Sequence, residues 1–156
     1  MVKIIKLKPL LISLLISVGT GALAGILTMG TSKIYGSLTK PSFAPPSYLF
    51  PIVWTILFIL MGISAYLVYM TESPAKSTAL KIYLAQLAVN FLWSIIFFSL
   101  NAYFFAFIWL VLLWVLIIFM LYYFYTVNPV AAYLQIPYFL WVTFAGVLNF
   151  SVAMLN

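Results

Sequence analysis

Five long stretches of this chain contain almost no charged residues. Of its 156 residues, 67% are hydrophobic and only 5% are charged, whereas soluble domains are about half apolar. This composition excludes a soluble globular protein. A helix that spans a bilayer needs about 20 consecutive apolar residues, so the apolar residues here are enough for about five spans. The sequence therefore predicts an all-α integral membrane protein, a bundle of five transmembrane helices.

Proline, glycine and asparagine residues separate the five stretches. They predict a single domain over residues 1–156, with approximate helices at 9–29, 48–70, 75–100, 103–125 and 129–155 and a long loop at 30–47. The first stretch follows lysines, as a signal peptide does. Its apolar part is longer than a signal peptide requires, so we expect a retained helix.

Two Xaa-Pro pairs mark helix starts. Ser73 precedes Pro74 and Asn128 precedes Pro129, which is the pattern of a cap followed by proline at the first helical position. Pro137 lies inside the fifth stretch and is expected to kink it, because proline frees the carbonyl four residues earlier.

The few charges indicate an orientation. Five lysines lie at the N-terminus or between the second and third helices, and two lie in the long loop: Lys3, Lys6, Lys8, Lys76 and Lys81 against Lys33 and Lys40. Because lysines favour the cytoplasmic side, we expect a cytoplasmic N-terminus. The same distribution indicates contact with a lipid bilayer and not with nucleic acid.

The ionisable residues exclude most enzyme classes. The chain has one acidic residue, Glu72, and no His or Cys. Catalytic triads, thiolate nucleophiles, paired carboxylates and the usual metal sites all need residues that are absent here. We therefore expect no metal site and no hydrolytic activity.

Aromatic residues recur on one face of three helices. Spacings of three and four residues place them on common faces: Trp54, Phe58 and Met61; Asn90, Trp93 and Phe97; Tyr138, Trp141, Ala145 and Leu148. The stripes predict either the packed interior of a bundle or an aromatic cavity for a flat apolar ligand. Periodicity alone leaves both open.

Small and amide residues add two further alternatives. Gln86, Asn90 and Asn149 lie at or near membrane depth, where an unpaired amide is costly, so they are expected to bond between helices or to a ligand. Gly21 and Gly25 form a G-x-x-x-G pair, which suits close packing by another helix or approach by a ligand.

Three segments resemble one known family. Three stretches are similar, in order, to motifs of the tryptophan-rich sensory proteins: KPSFAPPSYLFPIVWTILFILMG at 40–62, NFLWSIIFF at 90–98 and PYFLWVTFAGVLNF at 137–150. These are bacterial relatives of the mitochondrial translocator protein, also called the peripheral-type benzodiazepine receptor. The resemblance implies a bacterial member of this family.

The resemblance also implies a ligand site and a function. It suggests a homodimer in a bacterial plasma membrane that requires no cofactor and binds tetrapyrroles such as protoporphyrin or haem as ligands. The ligand-binding positions it implies, together with one residue from the stripes, are Gly21, Tyr35, Pro45, Trp54, Phe58, Asn90, Trp93, Trp141, Ala145 and Leu148.

Three functions are compatible with these residues. The leading expectation is a membrane receptor or sensor of lipophilic ligands, linked to porphyrin metabolism or stress. A second is light-dependent oxidative porphyrin degradation, for which Trp54 and Trp141 are the candidate catalytic residues. A third is passive porphyrin transport, because the ionisable residues that mark coupled transport are missing.

Overall fold

The structure, a computed structural model, describes residues 4–29 and 33–156, with only the backbone of residues 33 and 34. Lys3 and the side chain of Lys33 therefore lie outside the described residues. Five of the described helical segments are long and apolar enough to cross a membrane. The predicted all-α membrane architecture is confirmed. The helices are α1 (Leu7–Thr28), α2 (Lys33–Ser37), α3 (Leu49–Tyr69), α4 (Lys76–Ser94), α5 (Tyr103–Val127), α6 (Pro129–Leu134) and α7 (Ile136–Leu155).

The region predicted as a loop at 30–47 contains the short helix α2. Its Tyr35 hydroxyl donates to the carbonyl of Pro45 at 3.2 Å. The side chain of Asn156, just beyond α7, bonds both backbone groups of Thr39, at 3.2 and 2.9 Å. The segment between α1 and α3 is therefore tied to itself and to the end of α7.

The end of α4 widens into a π-helical turn, Ile95–Ser99. The amide of Leu100 donates to the carbonyl of Ile95 at 3.0 Å, five residues earlier, as a π-helix requires. Asn101 then adopts φ 51°, a left-handed conformation that Asn tolerates better than most residues. This tight link makes α4 and α5 antiparallel neighbours.

The fifth stretch is two helices and not the single kinked helix predicted over 129–155. Asn128 caps α6, its side-chain oxygen accepting from the amide of Val130 at 3.1 Å. The helix stops at Gln135, whose amide turns back to the carbonyls of Ala132 and Tyr133. Pro137 then falls in the first turn of α7, where its missing N–H costs nothing. The break thus precedes the proline.

Helix α3 changes its neighbours along its length. At one level it lies very close to α1, where the Ser13 hydroxyl donates to the carbonyl of Gly62 at 2.6 Å. Nearby, the Ser64 hydroxyl donates to the carbonyl of Ala131 in α6 at 2.7 Å. Towards its N-terminal end, α3 lies alongside α7 across an open groove. The cavity inside the bundle lies beside this N-terminal half of α3.

Candidate functional site

A cavity of about 600 Å³ opens in the half of the bundle nearest the α1 to α3 connection. Its walls come from the second half of α1, the first half of α3, the end of α4 with its π-helical turn, and α7. Tyr35, Ser47 and Tyr48 of the connection also line it. Ligand pockets for drug-sized molecules span roughly 300–1,000 Å³, so the space suits a molecule of that size.

One aromatic group of the cavity wall is centred on Trp54. Its ring lies 5.6 Å from the ring of Phe58 and 6.5 Å from that of Trp93, between centroids. Trp93 lies 5.5 Å from Phe97, which contacts Phe98 at 4.8 Å. Phe97 and Phe98 both line the cavity, within the π-helical turn that follows α4.

A second aromatic group lies between α2, α3 and α7. Phe50 contacts Tyr35 at 5.1 Å and Trp141 at 5.9 Å, between ring centroids. Tyr35 is 5% exposed although it lies outside the membrane-spanning helices. Burial raises the pKa of Tyr35 above its ordinary value, so this wall of the cavity stays uncharged.

One side of the cavity has no aromatic rings and is formed by small residues of α1. A Cβ atom built on Gly21 would lie 2.5 Å from the ring of Phe58, whereas one built on Gly25 would meet nothing within 4 Å. Both glycines line the cavity. The G-x-x-x-G pair is therefore a smooth cavity wall, with close packing only at Gly21.

The amides of the site bond to other helices. Asn90 donates to the Tyr138 hydroxyl at 2.8 Å, and this hydroxyl donates to Oε1 of Gln86 at 2.6 Å. Asn149 accepts from the Trp93 indole N–H at 3.0 Å and donates to the carbonyl of Tyr103 at 2.9 Å. The expectation of interhelical hydrogen bonding is confirmed for all three amides, although Asn90 and Asn149 also line the cavity.

Trp141 has a different environment. Its indole nitrogen is buried and makes no hydrogen bond with any described residue. A buried N–H without a partner is unfavourable, and a ligand acceptor beside it would remove that cost. Among the tryptophans that line the cavity, Trp93 is already committed to Asn149.

Lys40 lies behind the cavity wall. Its ammonium donates to the carbonyl of Tyr35 at 3.0 Å and lies 4.6 Å from the centre of that ring. Lys40 does not line the cavity. It supports Tyr35, and the cavity itself carries no lysine or carboxylate among the described residues.

The structure brings nine of the ten predicted positions to this one cavity: Gly21, Tyr35, Trp54, Phe58, Asn90, Trp93, Trp141, Ala145 and Leu148. Pro45 does not line it and instead accepts the hydrogen bond of Tyr35. Met61 and Tyr138, which continue the stripes, are buried behind the wall. That these residues bind a ligand stays a prediction.

Sequence reasoning missed three aromatic residues of the wall: Tyr48, Phe50 and Phe98. Phe50 lies four residues before Trp54, so the stripe of α3 extends one turn further than predicted. Phe98 lies eight residues after Asn90 and four after Ser94, which also lines the cavity, so it continues the stripe of α4 at helical spacing.

Comparison with known proteins agrees with this architecture. The sequence matches the TspO/MBR family over residues 12–155. It is 41% identical to the protein CrtK of Rhodobacter capsulatus over 138 residues, 87% of this chain and 85% of the relative. It is 39% identical to the tryptophan-rich protein TspO of Chlorobaculum tepidum, covering 80% of each chain. It is 35% identical to the human translocator protein, covering 76% of this chain and 72% of the relative. The chain is thus an integral membrane protein that belongs to the TspO/MBR family.

Proposed function

We propose that the protein is a membrane receptor or sensor that binds a flat lipophilic ligand, of the tetrapyrrole class, in the cavity. The observation that carries this proposal is the cavity wall: two groups of aromatic rings around about 600 Å³ of space at membrane depth. Aromatic faces bind flat conjugated rings by offset stacking and apolar burial. Protoporphyrin is the ligand that we expect to bind, and haem is a second candidate.

The polar groups of the cavity are consistent with a ligand held mainly by apolar contact. Asn149 and the indole of Trp93 bond to the protein itself. The N–H of Trp141 remains for a ligand acceptor. A hydrogen bond from Trp141 and a large aromatic surface would orient a planar ring, and no charged side chain among the described residues lines the cavity.

Binding is tested by titrating the protein in lipid nanodiscs with protoporphyrin in the dark and following tryptophan fluorescence. Saturable quenching at one ligand per chain is the expected result. Trp114, which donates to Thr143 outside the cavity at 2.8 Å, provides the control: Trp114→Phe should leave the affinity unchanged. Quenching that rises linearly without saturation would contradict the proposal.

Replacing Trp141 should weaken binding in graded steps. Trp141→Phe keeps an aromatic face and loses the N–H, so we expect a modest loss. Trp141→Ala removes the face and should cost about 1–3 kcal/mol of binding free energy. The same dark titration measures both. Equal affinities for the alanine variant and the original protein would exclude Trp141 from the binding surface.

Light-dependent oxidative breakdown of a bound porphyrin is the second candidate function. The ring of Trp54 lies 6.5 Å from that of Trp93, close enough for electron exchange along the wall. In this reaction an indole gives an electron to the photoexcited porphyrin, and the porphyrin anion passes it to molecular oxygen, the oxidant. The ring then returns an electron to the oxidised indole and combines with the superoxide, so the net change is addition of O2 to the porphyrin. Illumination after the dark titration should then give a product that free porphyrin does not. If Trp141→Phe binds porphyrin and degrades it at the original rate, Trp141 is not the electron donor.

The lysine distribution supports a cytoplasmic N-terminus, which we propose together with a bacterial plasma membrane and a homodimer. Lys6, Lys8, Lys76 and Lys81 all lie at one end of the bundle, where the amide of Lys6 bonds to the hydroxyl of Tyr66 at 2.9 Å. With five crossings, the C-terminus should lie on the opposite side. A reporter fused after Asn156 that is active only outside the cytoplasm should give a signal. Activity of a reporter that works only in the cytoplasm, fused at the same place, would show that the orientation is the opposite one.

A further inference from the structure

A second, shallower groove runs along the outside of the bundle between α3 and α7. It encloses about 390 Å³, and every residue that lines it is apolar. Ile56 on one side and Leu140 on the other are 53% and 61% exposed. No hydrogen bond between described residues joins residues 53–57 to residues 137–144. We call this groove the α3–α7 seam.

The depth of the seam places it among acyl chains. Its α3 residues, Val53 to Leu57, lie four to eight residues after the start of the helix. At 1.5 Å per residue this is about 6–12 Å below the helix end. The seam begins at Pro137, just after the break at Gln135. Before that break, α3 is held to α6 by the hydrogen bond from Ser64.

The indole of Trp141 is shared by the seam and the cavity. It lines both spaces. Its ring contacts Phe50 at 5.9 Å and Phe144 at 5.5 Å, between centroids. The cavity and the lipid-facing groove are therefore separated by an aromatic side chain.

No hydrogen bond fixes the orientation of that indole. Trp93, Trp109 and Trp114 each donate to a protein acceptor at 3.0, 2.8 and 2.8 Å. The nitrogen of Trp141 has no such partner. Rotation of Trp141 would break no hydrogen bond, unlike rotation of Trp93, Trp109 or Trp114.

The connection between α1 and α3 is held more firmly than the seam. Tyr35 bonds to Pro45, Lys40 bonds to Tyr35, and Asn156 makes two bonds to Thr39. Displacing this connection requires several hydrogen bonds to break. Opening the seam requires only apolar contacts to be exchanged for lipid.

We propose that lipophilic ligands reach the cavity from within the bilayer, through the α3–α7 seam, with the Trp141 indole as the gate. This inference rests on the proposed function and adds the route to it. The ligand is a planar molecule dissolved among the acyl chains, and it passes Trp141 without first entering water.

The chain contains no cysteine, so a single introduced cysteine can carry a bulky maleimide at a chosen place. Leu140→Cys puts the label in the seam. Tyr48→Cys puts it on the exposed side of the α1 to α3 connection, where Tyr48 lines the cavity and is 69% exposed. Phe119→Cys puts it on the lipid-facing side of α5, at a residue that is 52% exposed and lines neither space. Protoporphyrin preloaded in nanodisc lipid is then mixed with each labelled protein, and tryptophan quenching is followed in time.

The label at position 140 should slow binding and release at least tenfold while changing the dissociation constant less than threefold, because a blocked route affects both rates equally. The labelled Phe119→Cys protein should bind at the original rate, and the unlabelled Leu140→Cys protein is the reference against which the labelled one is compared. Unchanged rates with the label at 140 would overturn the proposal, as would slowing by the label at 48 alone. If the label at 140 unfolds the protein, Ile56→Cys tests the opposite wall of the seam. Absence of saturable binding by the original protein would refute the proposed function itself, a different result from binding at unchanged rates.

Discussion

Tyr138→Phe should destabilise the protein by about 2–4 kcal/mol, because it leaves two buried amide groups without partners, each worth about 1–3 kcal/mol. The Tyr138 hydroxyl accepts from Asn90 at 2.8 Å and donates to Gln86 at 2.6 Å. Gln86 is fully buried and Asn90 is 4% exposed, so the Gln86 amide has no access to water and the Asn90 amide has little. Loss of helicity during a dodecyl sulfate titration measures the change in unfolding free energy.

Tyr83→Phe is the matched control for this change. Tyr83 lies on α4, one turn before Gln86, and is 3% exposed. Its hydroxyl faces Ser17 but forms no hydrogen bond of ordinary geometry with a described residue. Removing that hydroxyl should leave the stability almost unchanged. Equal effects of the two substitutions would mean that the three-residue network does not stabilise the bundle.

Gly62→Leu should cost at least about 3 kcal/mol of unfolding free energy, beyond the usual range for an overpacked core. A Cβ atom at this position would lie 2.6 Å from Oγ of Ser17 and 3.0 Å from the Cα atom of Leu14. The second contact is with backbone, so the whole of α1 would have to move away from α3. The Ser13 hydroxyl would then lose its bond to the Gly62 carbonyl.

Gly19→Ala separates this effect from the general cost of changing a glycine. A Cβ atom on Gly19 meets nothing within 4 Å, and alanine favours a helix by up to about 1 kcal/mol over glycine. We expect this variant to be as stable as the original protein or slightly more so. The same detergent titration compares the two variants, and a Gly62→Leu protein of unchanged stability would show that α1 and α3 do not pack closely there.

The sequence predicts the spans well because the bilayer imposes a strong and simple requirement. Each span needs about 20 apolar residues, and the five membrane-crossing segments start and end within a few residues of the bounds expected from proline, glycine and asparagine. The stripe on α3 also predicts that Trp54 and Phe58 share a face, since spacing in an α-helix fixes direction.

Other features depend on interactions that a one-dimensional pattern does not contain. The π-helical turn Ile95–Ser99 that follows α4 has no marker residue in the sequence. The break at Gln135 is displaced from the proline that prompted the expectation of a kink. Pairing of Asn90 with Tyr138 joins residues 48 positions apart, and the cost of an unpaired amide predicts only that some partner exists.

Because the described side chains around the cavity carry no charge, the binding equilibrium measures the ligand's own ionisation. Histidine is the residue that ordinarily titrates between pH 5 and 8, and the sequence contains none. The described side chains around the cavity include no lysine or carboxylate, and burial raises the pKa of Tyr35 above its ordinary value. A change of affinity with pH in this range would therefore report protonation of acidic groups on the bound molecule. Across that range, the affinities of a carboxylated tetrapyrrole and of its uncharged ester would differ. The cause of that difference would be the properties of the two ligands and of the membrane from which they bind.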